Sequence, residues 1–185
     1  MRILAFFATG SEDAEFVITV DLLRRARIEV LTVSVDDSNP VALSHNINVT
    51  PDRILSDLGD EEIDEFDGLF LPGGKIGVSN LKKSDRLMSI IKRFNDKKKL
   101  LSAICAAPTV LAYADIMSGC KFTCYEGWQG EVDGIYNAVG AVKDENIVTG
   151  RSLNYSIDFS LLIIEYLLGS DAKEKVEKGI LRREW

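Results

Sequence analysis

The residue best placed for chemistry is Cys105, which directly follows the apolar residues 100–104 and directly precedes Ala106 and Ala107. A nucleophile at the end of a strand needs small neighbours, because its sharp, strained turn projects the side chain clear of the sheet. Pro108 suits the first turn of a helix, whose positive end would lower the pKa of the thiol. The alternative is an ordinary buried cysteine, the commoner fate after an apolar strand. The small neighbours favour a reactive thiolate.

Glu15 is the candidate proton partner of this thiolate. It lies at the predicted start of the first helix, beside the end of the first strand. A carboxyl group buried there against Cys105 would have a raised pKa and could donate or accept a proton. The alternative is a glutamate that stabilises the helix N-terminus, a role that Glu12 and Asp13 fit better. Spacing alone leaves both interpretations open.

A pair of glycines, Gly73 and Gly74, follows another short apolar segment at residues 68–71. Glycine permits backbone conformations closed to other residues, so their N–H groups could approach a ligand or line an oxyanion pocket. The alternative is a simple turn, and the pair alone is a weak signal.

Metal and nucleotide sites are poorly supported by the sequence. Cys120 and Cys124 are separated by three residues and have no histidine near them. The single histidine, His45, lies in a polar, turn-rich stretch and is predicted to be an exposed loop imidazole. Neither a phosphate-binding P-loop motif nor a G-x-G-x-x-G fingerprint occurs. We therefore expect no metal and no nucleotide cofactor.

The elements that must position these residues alternate between apolar strands and amphipathic helices. Strands are predicted at residues 3–8, 28–35, 47–50, 68–71, 100–104, 121–125, 138–142 and 147–149, and helices at 15–27, 85–99, from Pro108 onward, at 155–168 and at 171–183. The acidic stretch at 57–67 is interpreted as a solvated connection. This alternation predicts an α/β three-layer sandwich, a flavodoxin-like, mostly parallel sheet with helices on both faces. Ligands of such sheets bind beyond the carboxyl ends of the strands, where Glu15, Gly73 and Cys105 would meet.

Composition limits the possible partners. The chain has 185 residues, 46% of them hydrophobic, which fits one domain over residues 1–185. Its net charge of −7 would repel phosphate backbones and anionic lipids, so neither nucleic acid nor membrane binding is expected. The apolar N-terminal run is too short to span a bilayer and is not interpreted as a signal peptide. Three cysteines, an odd number, favour reduced thiols in the cytoplasm.

Four segments resemble a known family. They are residues 10–15 (GSEDAE), 71–74 (LPGG), 103–111 (AICAAPTVL) and 158–159 (DF). In order and spacing they are similar to the ThiJ/PfpI superfamily, and within it to the branch of the Parkinson-disease-associated protein deglycase and its bacterial relatives.

The resemblance implies a homodimer with a strained nucleophilic Cys105 and a protonated Glu15 bonded to it. It also implies an oxyanion-stabilising backbone around Gly73, Gly74 and Ala106, and no cofactor. The sequence adds an expectation that the apolar face of the first helix and its neighbours form the dimer contact. Family members include glyoxalases, deglycases, redox sensors and chaperones, so the expected partner is a small reactive aldehyde or a glycated substrate.

One position departs from the family pattern. Many members carry a histidine near the cysteine, and the matching position here is Tyr125, which could only orient a group or form a hydrogen bond. A Cys–His pair cannot be assumed. Two functions therefore stay open: a cofactor-independent enzyme that acts on 2-oxoaldehydes or their adducts through Cys105 and Glu15, and a non-catalytic redox sensor or chaperone that responds to oxidation of Cys105.

Overall fold

Seven strands form the central sheet, and helices cover both of its faces in a computed structural model that describes residues 1–182. The strands are β1 Arg2–Phe7, β2 Glu29–Ser34, β3 Val41–Ala42, β4 Asn48–Val49, β5 Arg53–Ile54, β6 Gly68–Leu71, β7 Leu100–Ile104, β8 Lys121–Phe122, β9 Ile135–Tyr136, β10 Ala141–Asp144 and β11 Ile147–Gly150. The helices are α1 Asp13–Arg25, α2 Asp60–Ile63, α3 Lys75–Lys82, α4 Asp85–Asp96, α5 Pro108–Tyr113, α6 Ser156–Leu168 and α7 Ser170–Gly179.

The strand order of the sheet creates a switch point at its centre. The order is β10-β11-β7-β6-β1-β2-β5, and every neighbouring pair is parallel except β10 with β11. From β1 the chain moves to β2 on one side and later to β6 and β7 on the other. Crevices form at such a reversal, beyond the carboxyl ends of the strands.

Alternate residues of the buried strands face two separate cores. On β1, Leu4 and Phe6 face the core covered by α4, whereas Ile3 and Phe7 face the core covered by α1 and α6. Burial on both faces explains the continuous apolar runs of the parallel strands. The predicted α/β three-layer sandwich is confirmed.

The acidic stretch at 57–67 is more than a solvated connection, and that interpretation is wrong in part. It contains the single turn α2, and the side chains of Ile63 and Phe66 are buried in the core. The many charged residues around these two apolar side chains conceal them in the sequence. The eight-residue helix α3 was also not predicted, although Val78 and Leu81 anchor it.

Several predicted boundaries differ from those of the structure, most of them in the second half of the chain. The strand expected at 121–125 is only the two-residue β8, and the one expected at 138–142 becomes β10. The strand expected at 47–50 is reduced to β4, which pairs with β3 outside the main sheet. The last helix, expected over 171–183, ends at Gly179, and position 183 lies outside the described residues. Along residues 1–182, every helix is too short or too polar to cross a membrane.

Candidate active site

The loops that follow β1, β6 and β7 meet beyond the carboxyl ends of these strands, because the three strands are neighbours in the sheet. The loop after β1 leads into α1, whose first turn carries Glu15. Gly73 follows the end of β6, and Cys105 directly follows β7. The structure therefore brings together the three residues that the sequence singled out.

The backbone at Cys105 turns sharply, as the elbow interpretation requires. Its φ of 64° lies in the left-handed region, which costs a residue with a side chain about 1 kcal/mol or more. Two hydrogen bonds hold this conformation. The N–H of Cys105 donates to the carbonyl oxygen of Gly150 at 2.9 Å, and its carbonyl oxygen accepts from the N–H of Tyr125 at 2.8 Å. The predicted strained turn is confirmed.

Glu15 is completely buried against this elbow. Its Oε2 accepts a hydrogen bond from the backbone N–H of Gly73 at 2.9 Å, and Gly73 lies directly against both this oxygen and the side chain of Cys105. The other oxygen, Oε1, is buried and accepts no hydrogen bond from any of the described residues. One carboxyl oxygen is thus fixed by the backbone, and the other keeps a free acceptor site.

The carboxyl group of Glu15 is poised to exchange a proton near neutral pH. Burial raises its pKa from 4.5 to about 7, and the negative charge of Glu12 adds to the rise. The nearby Cys105 thiol and the backbone N–H groups of Gly73 and Leu153 favour the charged form and offset part of this rise in the pKa. A pKa close to the working pH suits a general acid–base.

The expected lowering of the Cys105 pKa is wrong for the resting site. Burial and then the neighbouring Glu15 raise the pKa of the thiol, and the nearby N–H groups of Ala106 and Gly74 offset only part of this rise. The sequence argument relied on the helix that follows, but α5 is only six residues long and burial outweighs it. The thiolate is less disfavoured when the proton resides on Glu15, because the repelling carboxylate charge is then absent.

Only glycine fits at positions 73 and 74. A Cβ on Gly73 would lie 2.6 Å from the Cβ of Cys105 and 2.6 Å from Oε2 of Glu15. Gly74 has a φ of 89°, and a Cβ there would lie 2.5 Å from the carbonyl oxygen of Gly10. The glycine pair therefore permits the close approach of this backbone to the thiol and the carboxyl group.

Tyr125 contacts the elbow through its backbone. Its N–H donates to the carbonyl oxygen of Cys105, while the side chain is exposed to solvent. The structure thus assigns the orienting contact to the main chain, which the residue type at this position does not reveal.

The loop that carries His45 is more ordered than its sequence indicated. The ring is exposed as expected, but its Nδ1 lies 3.0 Å from Oδ2 of Asp13, which also accepts from the Ser44 hydroxyl at 2.6 Å. Glu12, Asp13 and His45 are close enough to offer ligands to one cation. The hydrogen bonds to Asp13 explain this arrangement without an ion. Only the three-dimensional pairing of the two loops reveals it.

The chain was compared with known proteins. The DJ-1/PfpI family profile matches residues 1–166. The Parkinson disease protein 7 homolog of Danio rerio is 32% identical over 187 residues, covering 99% of this chain and 98% of the relative. The crystal structure of Drosophila melanogaster DJ-1beta is 32% identical with a TM-score of 0.92, over 99% and 98% of the two chains. The structure of oxidised DJ-1 from Toxoplasma gondii is 29% identical with a TM-score of 0.92, over 99% of each chain.

Proposed function

The chain belongs to the DJ-1/PfpI family, and from this premise we propose that it is a cofactor-independent enzyme that acts on small 2-oxoaldehydes or their adducts. Cys105 is the nucleophile and Glu15 the proton shuttle. The observation that carries the proposal is the arrangement of the two side chains: a completely buried carboxyl group, fixed by the N–H of Gly73, lies against the backbone that also contacts a partly accessible thiol at a strained turn.

The reaction follows from the sharing of one proton between Glu15 and Cys105. With the proton on Glu15, the thiolate attacks the aldehyde carbon and forms a C–S bond. The N–H groups of Gly74 and Ala106 stabilise the alkoxide, which takes the proton from Glu15 and becomes a hemithioacetal. The Glu15 carboxylate then removes the proton from the former aldehyde carbon and returns it to the adjacent carbon, while the hydroxyl proton passes to the neighbouring oxygen, so that the enediol intermediate becomes the thioester of a 2-hydroxy acid. Water hydrolyses the thioester, so methylglyoxal plus water yields lactate and the free thiol.

Glu15 can serve both proton transfers because its two oxygens are not equivalent. Oε2 accepts the hydrogen bond from Gly73, which fixes the carboxyl plane, while Oε1 accepts no hydrogen bond within residues 1–182. A fixed base with one free oxygen meets the geometric requirement for transfer between neighbouring carbons.

The proposal is tested by incubating the purified protein with methylglyoxal in D₂O without added thiol or cofactor. We expect lactate by NMR, with deuterium at its second carbon to the extent that Glu15 exchanges with solvent. A Cys120→Ala variant, changed at a thiol outside the site, serves as a matched control and should form lactate at the same rate. Absence of any hydroxy acid from both proteins would overturn the proposal.

A second candidate function is a redox sensor or chaperone. It is favoured by the partial exposure of Cys105, by the two N–H groups that would hold an oxidised sulfur, and by the similar oxidised structure from Toxoplasma gondii. Two equivalents of hydrogen peroxide would convert the thiol to a sulfinic acid and release two waters. Mass spectrometry of peroxide-treated protein tests this candidate. Selective oxidation of Cys105 in a protein that turns over no aldehyde would favour the sensor.

We also propose a homodimer. Most of the apolar face of α1 is buried within its own chain, so the contact we propose uses the exposed apolar residues of α1 and of its neighbours. Exposed apolar side chains lie near the site, on α1, α6 and the loops beside them: Val17, Ile47, Leu153 and Ile157. A partner chain would remove them from water. Light scattering of the parent should give a mass twice that of the 20.5 kDa chain, and a Val17→Asp/Ile157→Asp variant should have the mass of one chain.

The remaining expectations from the sequence are proposals as well. We propose that residues 1–185 form one domain, supported by the single sheet that both cores share. A cytoplasmic location is supported by the three cysteines, which are all free thiols.

A further inference from the structure

A small groove lies on the surface beside α3. It has a volume of about 280 Å³ and is lined by Lys75, Val78, Ser79, Lys82, Lys83, Tyr113 and Trp128. Pockets for drug-sized ligands start at about 300 Å³. The groove is therefore large enough for one end of a ligand rather than for a whole one.

The groove carries a concentration of positive charge in an acidic protein. Three ammonium groups line it together with two hydroxyl groups and an indole N–H, and no carboxylate is among its lining residues. Lys82 is paired with Glu131 at 3.2 Å. Neither Lys75 nor Lys83 has a carboxylate partner within residues 1–182, although Lys83 donates to the side chain of Asn80. Such a set of donors recognises an anion and would repel a cation.

Both walls of the groove continue directly from the backbone that holds the reactive thiol. Lys75 is the second residue after Gly73, where an added Cβ would lie 2.6 Å from the Cβ of Cys105. On the other wall, the N–H of Trp128 donates to the carbonyl oxygen of Tyr125 at 3.1 Å, and Tyr125 in turn bonds to Cys105. A substrate attached to Cys105 could therefore extend one end into the groove.

We propose that the groove binds the phosphate group of a phosphorylated substrate whose aldehyde carbon reacts at Cys105. This inference rests on the proposed function, because it assigns a substrate class to the same site. Phosphate is favoured over a carboxylate because the two ammonium groups without a carboxylate partner, those of Lys75 and Lys83, balance a dianion, whereas Tyr113 and Trp128 leave an aromatic wall for the carbon chain. The preferred substrates are thus phosphorylated 2-oxoaldehydes, and methylglyoxal is a truncated one.

Phosphate binding can be measured without any turnover. The chain has two tryptophans, so a Trp185→Phe background leaves Trp128 as the only indole fluorophore. We expect inorganic phosphate, titrated at constant ionic strength, to change this fluorescence with saturation. Loss of two cations near the anion should weaken binding about tenfold in Lys75→Gln/Lys83→Gln. A Lys92→Gln/Lys178→Gln protein, with the same charge change elsewhere, is the matched control and should bind as the parent does.

Kinetics separate this inference from the function on which it rests. We expect kcat/KM for a 2-oxoaldehyde with a phosphate on its third carbon, divided by that for methylglyoxal, to fall about tenfold in Lys75→Gln/Lys83→Gln, mainly through KM. Lysine-dependent phosphate binding without turnover of any aldehyde would support the groove and overturn the proposed enzyme. Turnover with an unchanged ratio, or a fluorescence response that acetate or the control variant reproduces equally, would overturn the groove and leave the enzyme standing.

Discussion

Cys105 and Cys124 are two thiols on neighbouring segments, which are connected by the hydrogen bond from the N–H of Tyr125 to the carbonyl oxygen of Cys105, yet the surroundings of the two thiols differ. Burial raises the pKa of both, to about 11 for Cys124, where Arg151 offsets a small part. Cys124 lies wholly inside the apolar core. Cys105 is partly accessible, sits on a left-handed residue and faces Glu15. Burial alone therefore does not distinguish a reactive thiol from an inert one, whereas a neighbour that can hold the proton does.

The largest expected effect tests whether the two thiols differ in function. Cys105→Ala should lower aldehyde turnover by about 10³-fold or more, because the covalent step is lost. Cys124→Ala should keep turnover within about twofold and cost about 1 kcal/mol of unfolding free energy, because it removes a buried sulfur. Steady-state rates and urea unfolding measure both quantities. Equal turnover rates for Cys105→Ala and the parent would show that Cys105 and Cys124 do not differ in function.

Glu15→Gln should separate proton transfer from thiol reactivity. The amide keeps the shape of the side chain but cannot shuttle a proton, so turnover should fall about 10²-fold. The thiol pKa should fall as well, because the carboxylate that repels the thiolate is gone, and alkylation of Cys105 at neutral pH should become faster. Iodoacetamide kinetics with peptide mapping, beside turnover, report both. If the two rates fall together, Glu15 positions the cysteine rather than moving protons.

The pH dependence of stability should reveal the same carboxyl group. Burial places its folded-state pKa at about 7, above 4.5, so the protonated form is favoured by folding. This contribution is fully present below pH 4.5 and is lost as the pH rises to about 7, in total about 3 kcal/mol. Urea unfolding of the parent and of Glu15→Gln across this pH range gives the difference between their unfolding free energies. The contributions of the other carboxyl groups cancel in this difference, because both proteins contain them. Parallel stability curves would contradict the raised pKa.

Gly73→Ala should damage the reactive region more than a matched glycine elsewhere. The added methyl group would collide with Cys105 and Glu15, so we expect a loss of about 2 kcal/mol of unfolding free energy and a slower turnover. Gly130 has nothing within 4 Å of an added Cβ, and Gly130→Ala should change neither quantity appreciably. Crystal structures or chemical denaturation of the two variants would decide. Equal stability of both would show that the contact at Gly73 relaxes easily.

The smallest expected effect concerns Tyr125. Its backbone holds Cys105 and its side chain is exposed, so Tyr125→Phe should change turnover less than about threefold. Tyr125→Pro removes the N–H donor and should reduce turnover far more than the phenylalanine variant. A large effect of the phenylalanine variant would assign the hydroxyl group a chemical role.

The sequence predicts those features that neighbouring residues determine. The runs before Gly73 and Cys105 form β6 and β7 because continuous apolar residues specify strands buried on both faces. The bond between Glu15 and Gly73 joins residues 58 positions apart and depends on the strand order, which periodicity does not encode. The direction of the Cys105 pKa was missed for a similar reason, because burial by distant segments outweighs the local helix end.

The outer strands of the sheet determine how two molecules can meet. An edge strand presents unpaired N–H and C=O groups that can template a strand from another chain. Here the two edges are β5, with two residues, and β10, with four, and the latter carries the exposed Lys143. Both edges offer little length for such pairing. Contacts between copies are therefore left to side chains on helices and loops, and growth into continuous intermolecular sheets is disfavoured by the architecture itself.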